Sequence, residues 1–176
     1  FDVSVYEIFS VFTTGASLFV VPDDCRADSQ AFFNFLDHQQ IHSAYIPPFM
    51  LADLVSWLTD SAKNWSLQRL LVGVEPIPLS LLQAIKEKHA DLTLINGYGP
   101  TEATVCSTLY EIPATGGTGL TPIGRPLQNT AVYVLDEQQQ PQPIGVAGEV
   151  WIGGAGLATG YEQHAELTAQ AFVETE

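Results

Sequence analysis

Residues 96–102 read Asn-Gly-Tyr-Gly-Pro-Thr-Glu, and they follow the apolar run Leu-Thr-Leu-Ile at 92–95, which is typical of a short buried strand. Two glycines and a proline predict that the backbone turns sharply after this strand. The turn offers an aromatic ring, a threonine hydroxyl and a carboxylate, which are groups that suit a nucleotide and its magnesium ion. The alternative is an ordinary loop between a strand and a helix, because a motif this short matches many unrelated sequences.

The chain before this turn alternates between helical and strand patterns. Helices are predicted at 1–16 (with Asp2 or Ser4 as N-cap and Gly15 as terminator), after an N-cap at Ser29, around 49–58 and at 79–89; strands are predicted at 17–21, 41–46, 68–74 and 91–96. This order predicts an α/β fold with a parallel sheet flanked by helices. Because ligands bind at the carboxyl ends of parallel strands, residues 45–48, 72–75 and 96–102 are expected to line one crevice.

The pattern changes after about residue 112. Residues 113–122 lack periodicity and predict a loop, whereas 130–135 and 149–152 predict antiparallel strands that form part of a small β-barrel subdomain. We therefore divide the chain into an α/β part, residues 1–111, and a partial β part, residues 112–176. The glycine-rich stretch that ends at Tyr161 is interpreted as structural turns, since too few residues follow it for a dinucleotide-binding unit.

Composition narrows the function classes. The chain has 176 residues, 46% hydrophobic and 15% charged, which predicts an ordered chain about the length of one domain with a sizeable hydrophobic core. The net charge is −14 without a basic run, so nucleic acid and anionic membranes are unlikely partners. Cys25 and Cys106 lack metal-ligand spacing, and because nothing in the sequence suggests secretion, we expect a reduced, cytoplasmic setting. The chain begins with phenylalanine and contains a single methionine, Met50, so we expect it to be an internal piece of a larger protein.

Three stretches together carry a resemblance to a known family. NGYGPTE at 96–102 resembles the fifth core motif of adenylate-forming enzymes, especially the amino-acid adenylation domains of nonribosomal peptide synthetases. FDVSVYEIF at 1–9 is similar to their fourth motif, and GEVWIGGAGLATGY at 148–161 to their sixth. The three motifs occur in the family's order and at its spacing along the whole chain.

The resemblance implies an activity and its partners. Such domains join an amino acid to ATP, release pyrophosphate, and pass the aminoacyl group to the phosphopantetheine thiol of a carrier domain. Carrier and condensation domains of the same synthetase are the implied partners. The family's phosphate loop would precede residue 1, and its ribose-binding aspartate and catalytic lysine would follow residue 176. We therefore expect the isolated chain to be inactive.

The resemblance also implies a nucleotide site made of Gly73, Val74, Glu75, Asn96, Tyr98, Gly99, Thr101 and Glu102. Asn96 would bond the adenine amino group, Tyr98 would stack on the ring, and Thr101 would contact phosphate. Glu102 would hold Mg²⁺, which makes Thr101 and Glu102 the expected catalytic residues. The family usually has two glycines before Glu75, whereas this chain has Gly73 and Val74.

For the amino acid, the resemblance implies that Asp2 pairs with the α-ammonium group, although Asp2 could instead simply cap the first helix. The other matched pocket positions are Val3, Tyr6, Tyr45, Leu71, Gly73, Gly97, Val105 and Cys106. Apart from Asp2 none is charged, so a neutral, mainly apolar amino acid is predicted. Leu71 and Val105 would be core residues in any α/β sheet. An acyl- or aryl-CoA ligase, or a non-catalytic module with the same fold, remains an alternative.

Overall fold

The computed structural model describes residues 2–60 and 65–173. Its helices are α1 (Val3–Thr14), α2 (Asp23–Arg26), α3 (Ser29–His38), α4 (Leu51–Asp60), α5 (Leu79–Lys88) and α6 (Ala165–Ala171), with short 3-10 helices at Pro48–Met50 and Thr101–Ala103. Its strands are β1 (Ser43–Tyr45), β2 (Arg69–Gly73), β3 (Thr93–Tyr98), β4 (Thr108–Glu111), β5 (Arg125–Pro126), β6 (Thr130–Leu135) and β7 (Glu149–Gly154).

The chain forms two compact units. The first comprises the described residues of Phe1–Tyr98 and Thr108–Arg125, and the second those of Gly99–Ser107 and Pro126–Glu176. The chain therefore passes from the first unit into the second within the 96–102 stretch. In the part of the chain that the structure describes, no helix is long and apolar enough to cross a membrane.

The main sheet has five strands in the order β1-β2-β3-β4-β5. Strands β1, β2 and β3 are parallel neighbours, which confirms the α/β fold predicted from the alternating pattern. Strand β4 is antiparallel to β3 and was not predicted, so the sheet is mixed. The register places Tyr45 beside Leu71, and Gly73 beside Gly97.

Helices α3, α4 and α5 cover one face of this sheet. Their apolar residues and those of β2 and β3 form a single buried cluster that includes Phe33, Leu54, Leu82, Leu70 and Leu94, each fully buried. Burial of apolar surface on this scale is the main stabilising contribution in a domain of this size. The shared face predicted for α3, with Phe32, Phe33 and Leu36, is buried as expected.

The structure corrects several sequence predictions in the first unit. No strand is assigned at 17–21; Val20 is 80% exposed, and none of the described strands pairs with this segment. Strand propensity alone does not form a strand without a neighbour to complete its hydrogen bonds. Helix α3 is capped by Asp28, whose carboxylate accepts a hydrogen bond from the Ala31 amide at 2.7 Å, and not by Ser29.

One further boundary and the exposure of one helix differ from expectation. Strand β3 continues through Tyr98, so the sharp turn begins at Gly99 and not directly after Asn96, where the predicted strand ended. Antiparallel pairing with β4 supplies the hydrogen bonds that keep these residues extended. Helix α1 ends at Gly15 in the left-handed conformation, as predicted, but its apolar residues Phe9 and Phe12 are more than half exposed.

In the second unit, β6 and β7 form the predicted antiparallel pair, with Thr130 opposite Gly154 and Leu135 opposite Glu149. The turn after β6 is organised by Asp136, whose carboxylate oxygen accepts hydrogen bonds from the Gln138 and Gln140 amides. The described residues contain this two-stranded sheet and no closed barrel, so only the antiparallel pairing of the expected subdomain is formed.

Candidate functional site

The parallel strands bring predicted site residues to one edge of the first unit. Because β1, β2 and β3 are parallel and adjacent, their carboxyl ends lie at the same edge of the sheet. Tyr45 ends β1, Gly73 ends β2, and Asn96, Gly97 and Tyr98 end β3. The edge at which α/β proteins bind ligands is therefore formed by residues that the sequence singled out.

Several predicted pocket residues share one face of the sheet. Side chains alternate along a strand, and Leu70 and Val72 point into the hydrophobic cluster. Leu71 consequently points to the opposite face, and although it is only 4% exposed it is not part of that cluster. Its register partner Tyr45 and the next residue on its face, Gly73, lie on the same side. Leu71 therefore lies outside the main core, and its pocket role stays a prediction.

Backbones meet at the end of this face. A Cβ added to Gly73 would lie 2.1 Å from the carbonyl oxygen of Gly97, and Gly73 has a φ of +145°. Both the close approach and the backbone angle require glycine at position 73. The ends of β2 and β3 are thus in direct main-chain contact at Gly73 and Gly97.

Val74, which follows, has a φ of +67°. A β-branched residue in the left-handed region is a conformational outlier and stores strain of about 1–3 kcal/mol. Its side chain is 52% exposed, and Glu75 is exposed as well. The departure from the two glycines of the family pattern therefore appears in the structure as backbone strain at the predicted adenine slot.

Asn96 and Tyr98 differ in their surroundings. Asn96 is 6% exposed, and its amide nitrogen donates a hydrogen bond to the Pro122 carbonyl at 2.9 Å. This bond fixes the orientation of the side-chain amide. Tyr98 is 37% exposed, so its ring is accessible. The supporting role of the loop at 113–122 was not predicted, because an irregular loop gives no pattern from which a long-range contact can be read.

The structure bears on the two interpretations of Asp2. Asp2 occupies the N-cap position of α1 with helical backbone angles, φ −67° and ψ −22°, and makes no side-chain capping hydrogen bond. Its carbonyl oxygen accepts the first helical bond from the Val5 amide at 2.9 Å. The alternative role as a side-chain cap is thus not realised. Val3 is 3% exposed and Tyr6 is half-buried on the same helix.

Glu7 connects α1 to the strand edge and was missed by the sequence analysis. Burial raises the pKa of its carboxyl group, and a backbone hydrogen bond from Tyr45 partly opposes that rise. Glu7 therefore joins α1 to the last residue of β1. The available signal was a carboxylate within an otherwise apolar helical segment.

The second unit contains the remainder of the motif. A Cβ on Gly99 would lie 2.6 Å from the Ser107 amide nitrogen, so this loop folds back on itself without room for a side chain. Thr104 and Val105 both have positive φ, 61° and 67°. Consecutive β-branched residues in this region are strained, and such strain concentrates at functional loops. Thr101 is exposed, while Val105 and Cys106 are half-buried.

Glu102 is held by the glycine-rich stretch, all within the second unit. Its carbonyl oxygen accepts a hydrogen bond from the Ala158 amide at 2.7 Å, and its carboxylate accepts one from the Tyr161 hydroxyl. Thr104 donates a further bond to the Gly156 carbonyl at 2.6 Å. The hydrogen bond to Glu102 is the main cause that raises the pKa of Tyr161, followed by desolvation and the carboxylate charge. The sequence interpretation of turns alone did not predict these contacts.

The donor chemistry at Glu102 fits a magnesium ion bound together with a nucleotide. A carboxylate is the hard oxygen ligand that Mg²⁺ prefers, and such ions in nucleotide sites use one or two carboxylates plus substrate phosphates. Among the residues that the structure describes, no group of three or more histidine, cysteine or acidic side chains could hold a metal by itself. Glu102 would therefore supply one oxygen ligand to the ion, and the phosphate oxygens of the nucleotide would supply others.

Parallel strand ends of this kind form the ligand site in many α/β proteins, and the chain falls in that class of fold. The family model described as AMP-binding enzyme matches residues 1–162, so the chain belongs to the AMP-binding enzyme family.

The relatives narrow the family further. The chain is 38% identical over 174 residues to gramicidin S synthase 1 of Brevibacillus brevis, with 99% of the chain and 15% of that protein covered. It is similar in structure to the nonribosomal peptide synthetase FmoA3 in its α-methyl-L-serine-AMP-bound form, with a TM-score of 0.90, 28% identity, and 98% and 20% coverage of the two chains. The resemblance to adenylation domains of nonribosomal peptide synthetases is thereby confirmed.

A second similar structure is a nonribosomal peptide synthetase protein containing adenylation and PCP domains. Its TM-score is 0.73 at 30% identity, with 84% of this chain and 30% of that chain covered. The chain thus spans less than a third of the length of each of these three proteins.

Proposed function

We propose that the chain is the central part of an adenylation domain that activates a neutral, mainly apolar amino acid with ATP. A carboxylate oxygen of the amino acid attacks the α-phosphorus, a new P–O bond forms, and the bond to the β-phosphate breaks. Pyrophosphate leaves and an aminoacyl-AMP remains. The thiol of a carrier-bound phosphopantetheine then attacks the acyl carbon, forms a thioester and releases AMP.

The observation that carries this proposal is the shared sheet face of Tyr45, Leu71 and Gly73, together with the position of Asp2 at the start of α1. None of the first three is charged, so a charged substrate side chain there would be buried without a partner. By the resemblance to amino-acid adenylation domains, the Asp2 carboxylate would pair with the α-ammonium. A charge-assisted hydrogen bond of this type both anchors and orients an amine.

The nucleotide would lie at the ends of β2 and β3. Gly73, Val74 and Glu75 would form one side of the adenine slot, and the Tyr98 ring the other, while the amide of Asn96 is already oriented by Pro122. Thr101 would donate to phosphate, with Gly99 giving it a tight turn. Glu102 would hold Mg²⁺, which neutralises charge on the reacting phosphates. These groups act by positioning and electrostatics.

The carrier and condensation domains of a synthetase are proposed as partners. One similar structure contains a PCP domain beside its adenylation domain. The chain covers 15% of the length of gramicidin S synthase 1, so whole-protein activity is itself part of the proposal.

The test is amino-acid-dependent pyrophosphate exchange by the complete adenylation domain that contains this chain, measured across a panel of amino acids. Neutral apolar amino acids should give the highest rates, and charged ones the lowest. Asp2→Asn should lower kcat/KM by about 100-fold, because one partner of a buried ion pair loses its charge.

Asp91→Asn is the matched control, since Asp91 is exposed and precedes the opposite, amino-terminal end of β3. It should leave exchange unchanged. Unchanged activity in Asp2→Asn, together with activation of carboxylic acids that have no amine, would instead identify an acyl- or aryl-CoA ligase.

A further inference from the structure

We propose that Tyr161 is a positioning residue that fixes the Glu102 carboxylate for the metal ion that accompanies ATP. The inference rests on the proposed function, because that function gives Glu102 its role. It adds a residue from the glycine-rich stretch, which the sequence analysis had interpreted only as turns.

Glu102 is held at both its main chain and its side chain by one short segment. The Tyr161 hydroxyl donates to one carboxylate oxygen, Oε1, and the Ala158 amide donates to the backbone carbonyl at 2.7 Å. Gly156 lies close to the residue that follows Glu102, because a Cβ on Gly156 would be 3.2 Å from the Ala103 carbonyl oxygen. With one carboxylate oxygen in a fixed hydrogen bond, the direction of the other is fixed as well.

Tyr161 is itself anchored. Its amide donates to the Thr168 hydroxyl at 2.9 Å, and its ring meets Phe172 edge to face, with centroids 5.6 Å apart. Gly160 has a φ of +139°, and a Cβ there would lie 2.4 Å from the Thr168 methyl carbon. Only glycine allows the chain to approach α6 so closely, so Tyr161 is placed by the backbone before it and by the helix after it.

The chemistry of the donor supports the assignment. A glutamate side chain has several rotatable bonds, and ordering them costs free energy each time a metal binds. A hydroxyl can order the carboxylate in advance without adding charge, whereas a lysine or arginine at this position would compete with the metal for it. Hydrogen bonds to metal ligands of this kind commonly change metal affinity by about 10–100-fold.

The first test measures metal binding rather than turnover. In the complete adenylation domain with saturating ATP, Mn²⁺ is titrated as a paramagnetic probe and the free ion is followed by electron paramagnetic resonance. Tyr161→Phe should weaken Mn²⁺ binding about 10-fold. Tyr133→Phe removes the hydroxyl of a half-exposed tyrosine on β6 and should leave Mn²⁺ binding unchanged.

The second test asks whether the effect passes through Glu102. In a Glu102→Gln background, adding Tyr161→Phe should produce no further loss of Mn²⁺ affinity, because coupled residues are not additive. In pyrophosphate exchange by the wild-type background, Tyr161→Phe should raise the metal concentration needed for half-maximal rate, with the KM for the amino acid unchanged.

The outcomes separate this inference from the proposed function. Equal Mn²⁺ affinity in the wild type and Tyr161→Phe overturns the inference, even if amino-acid activation is intact. A fall in thermal stability with additive losses in the double variant also overturns it, because that is the signature of a purely structural tyrosine. Tyr161-dependent Mn²⁺ binding without amino-acid-dependent exchange supports the inference and refutes the proposed substrate.

Discussion

The two units of the chain are stabilised in different ways. Every residue of the large hydrophobic cluster belongs to the first unit, which carries the parallel strand ends. In the second unit, as far as the structure describes it, the buried hydrophobic residues are Ala103 and Leu135. Its long-range contacts are instead hydrogen bonds, such as those that Glu102 and Thr104 make with residues more than fifty positions away.

This difference suits the two units to different roles. A sheet packed on a close-packed core holds its strand ends rigidly, which suits the recognition of a substrate. A loop held mainly by hydrogen bonds has fewer buried apolar contacts and opens at lower free-energy cost. The strained residues Thr104 and Val105 lie in that loop. The predictions below test the contrast, beginning with the largest effect.

The largest change in the free energy of unfolding is expected when a buried leucine is truncated to alanine, and one such leucine is chosen in each unit. Leu94 is fully buried within the cluster, and Leu94→Ala should lower the free energy of unfolding of the first unit by about 2–5 kcal/mol. Leu135→Ala should cost about 2 kcal/mol, the low end of that range, because Leu135 lies outside the large hydrophobic cluster and is slightly more exposed than Leu94. Urea unfolding with hydrogen exchange on each unit measures both values.

Leu120→Ala is the control, because Leu120 is 64% exposed and its truncation should cost almost nothing. Equal losses for the Leu94 and Leu135 variants would contradict the contrast between the units.

A smaller effect is expected from one hydrogen bond in the second unit. Thr104→Val keeps the shape of the side chain but removes the donor to the Gly156 carbonyl, and should cost about 1 kcal/mol. The loss should appear as faster amide exchange in the second unit only. Thr159→Val, at an exposed threonine of the same unit, should show no such change; matching losses in both variants would argue against a specific contact.

Val74→Gly should have the opposite sign. Relief of left-handed strain, less the added flexibility of glycine in the unfolded chain, should stabilise the first unit by about 1 kcal/mol. Val20→Gly, at an exposed valine without positive φ, should instead destabilise it. If both variants shift the midpoint of urea unfolding in the same direction, backbone strain at Val74 does not explain the effect.

The smallest effect is a pH dependence at Glu7. Its pKa is raised above 4.5 in the folded state, so just above pH 4.5 the folded chain binds more protons than the unfolded chain. The contribution of Glu7 to stability is therefore present below pH 4.5 and is lost as the pH rises through the folded-state pKa. Thermal unfolding from about pH 4 to pH 7 should show a shallower decline in Glu7→Gln than in the wild type.

Glu111→Gln removes one negative charge from an exposed site on β4 and serves as the charge-matched control. If it flattens the pH profile as much as Glu7→Gln does, the slope reports net charge and not burial.

Much of the first unit could be predicted from sequence because its signals are local. Apolar periodicity identified α3 and α5, and alternation of elements identified the three parallel strands. Strand β4 was not predicted because it follows the turn at 96–102, and no local sequence pattern there indicates that it pairs with β3. The strand predicted at 17–21 is wrong for the opposite reason. The segment has a good local strand pattern, but none of the described strands pairs with it.

For the candidate site, too, sequence patterns predicted local features but not long-range contacts. Motif matching identified residues near one another in the chain, such as Asn96 and Glu102, and the sheet register then explained why Tyr45 and Leu71 belong together. It could not find the bond between Tyr161 and Glu102, whose residues are 59 positions apart. Contacts of that separation depend on how loops fold back, and no periodicity records them.

The contact between the ends of β2 and β3 has a practical consequence for protein engineering. At residue 73 any added carbon would meet the Gly97 carbonyl, so a mutant library that varies this position would consist mostly of misfolded chains. Under the proposed function, variation aimed at a new substrate preference would be made at Tyr45 and Leu71, where a side chain already exists and can be exchanged for one of another size. At this edge of the sheet, main-chain contact fixes residue 73 as glycine, whereas the side chains at 45 and 71 can be varied.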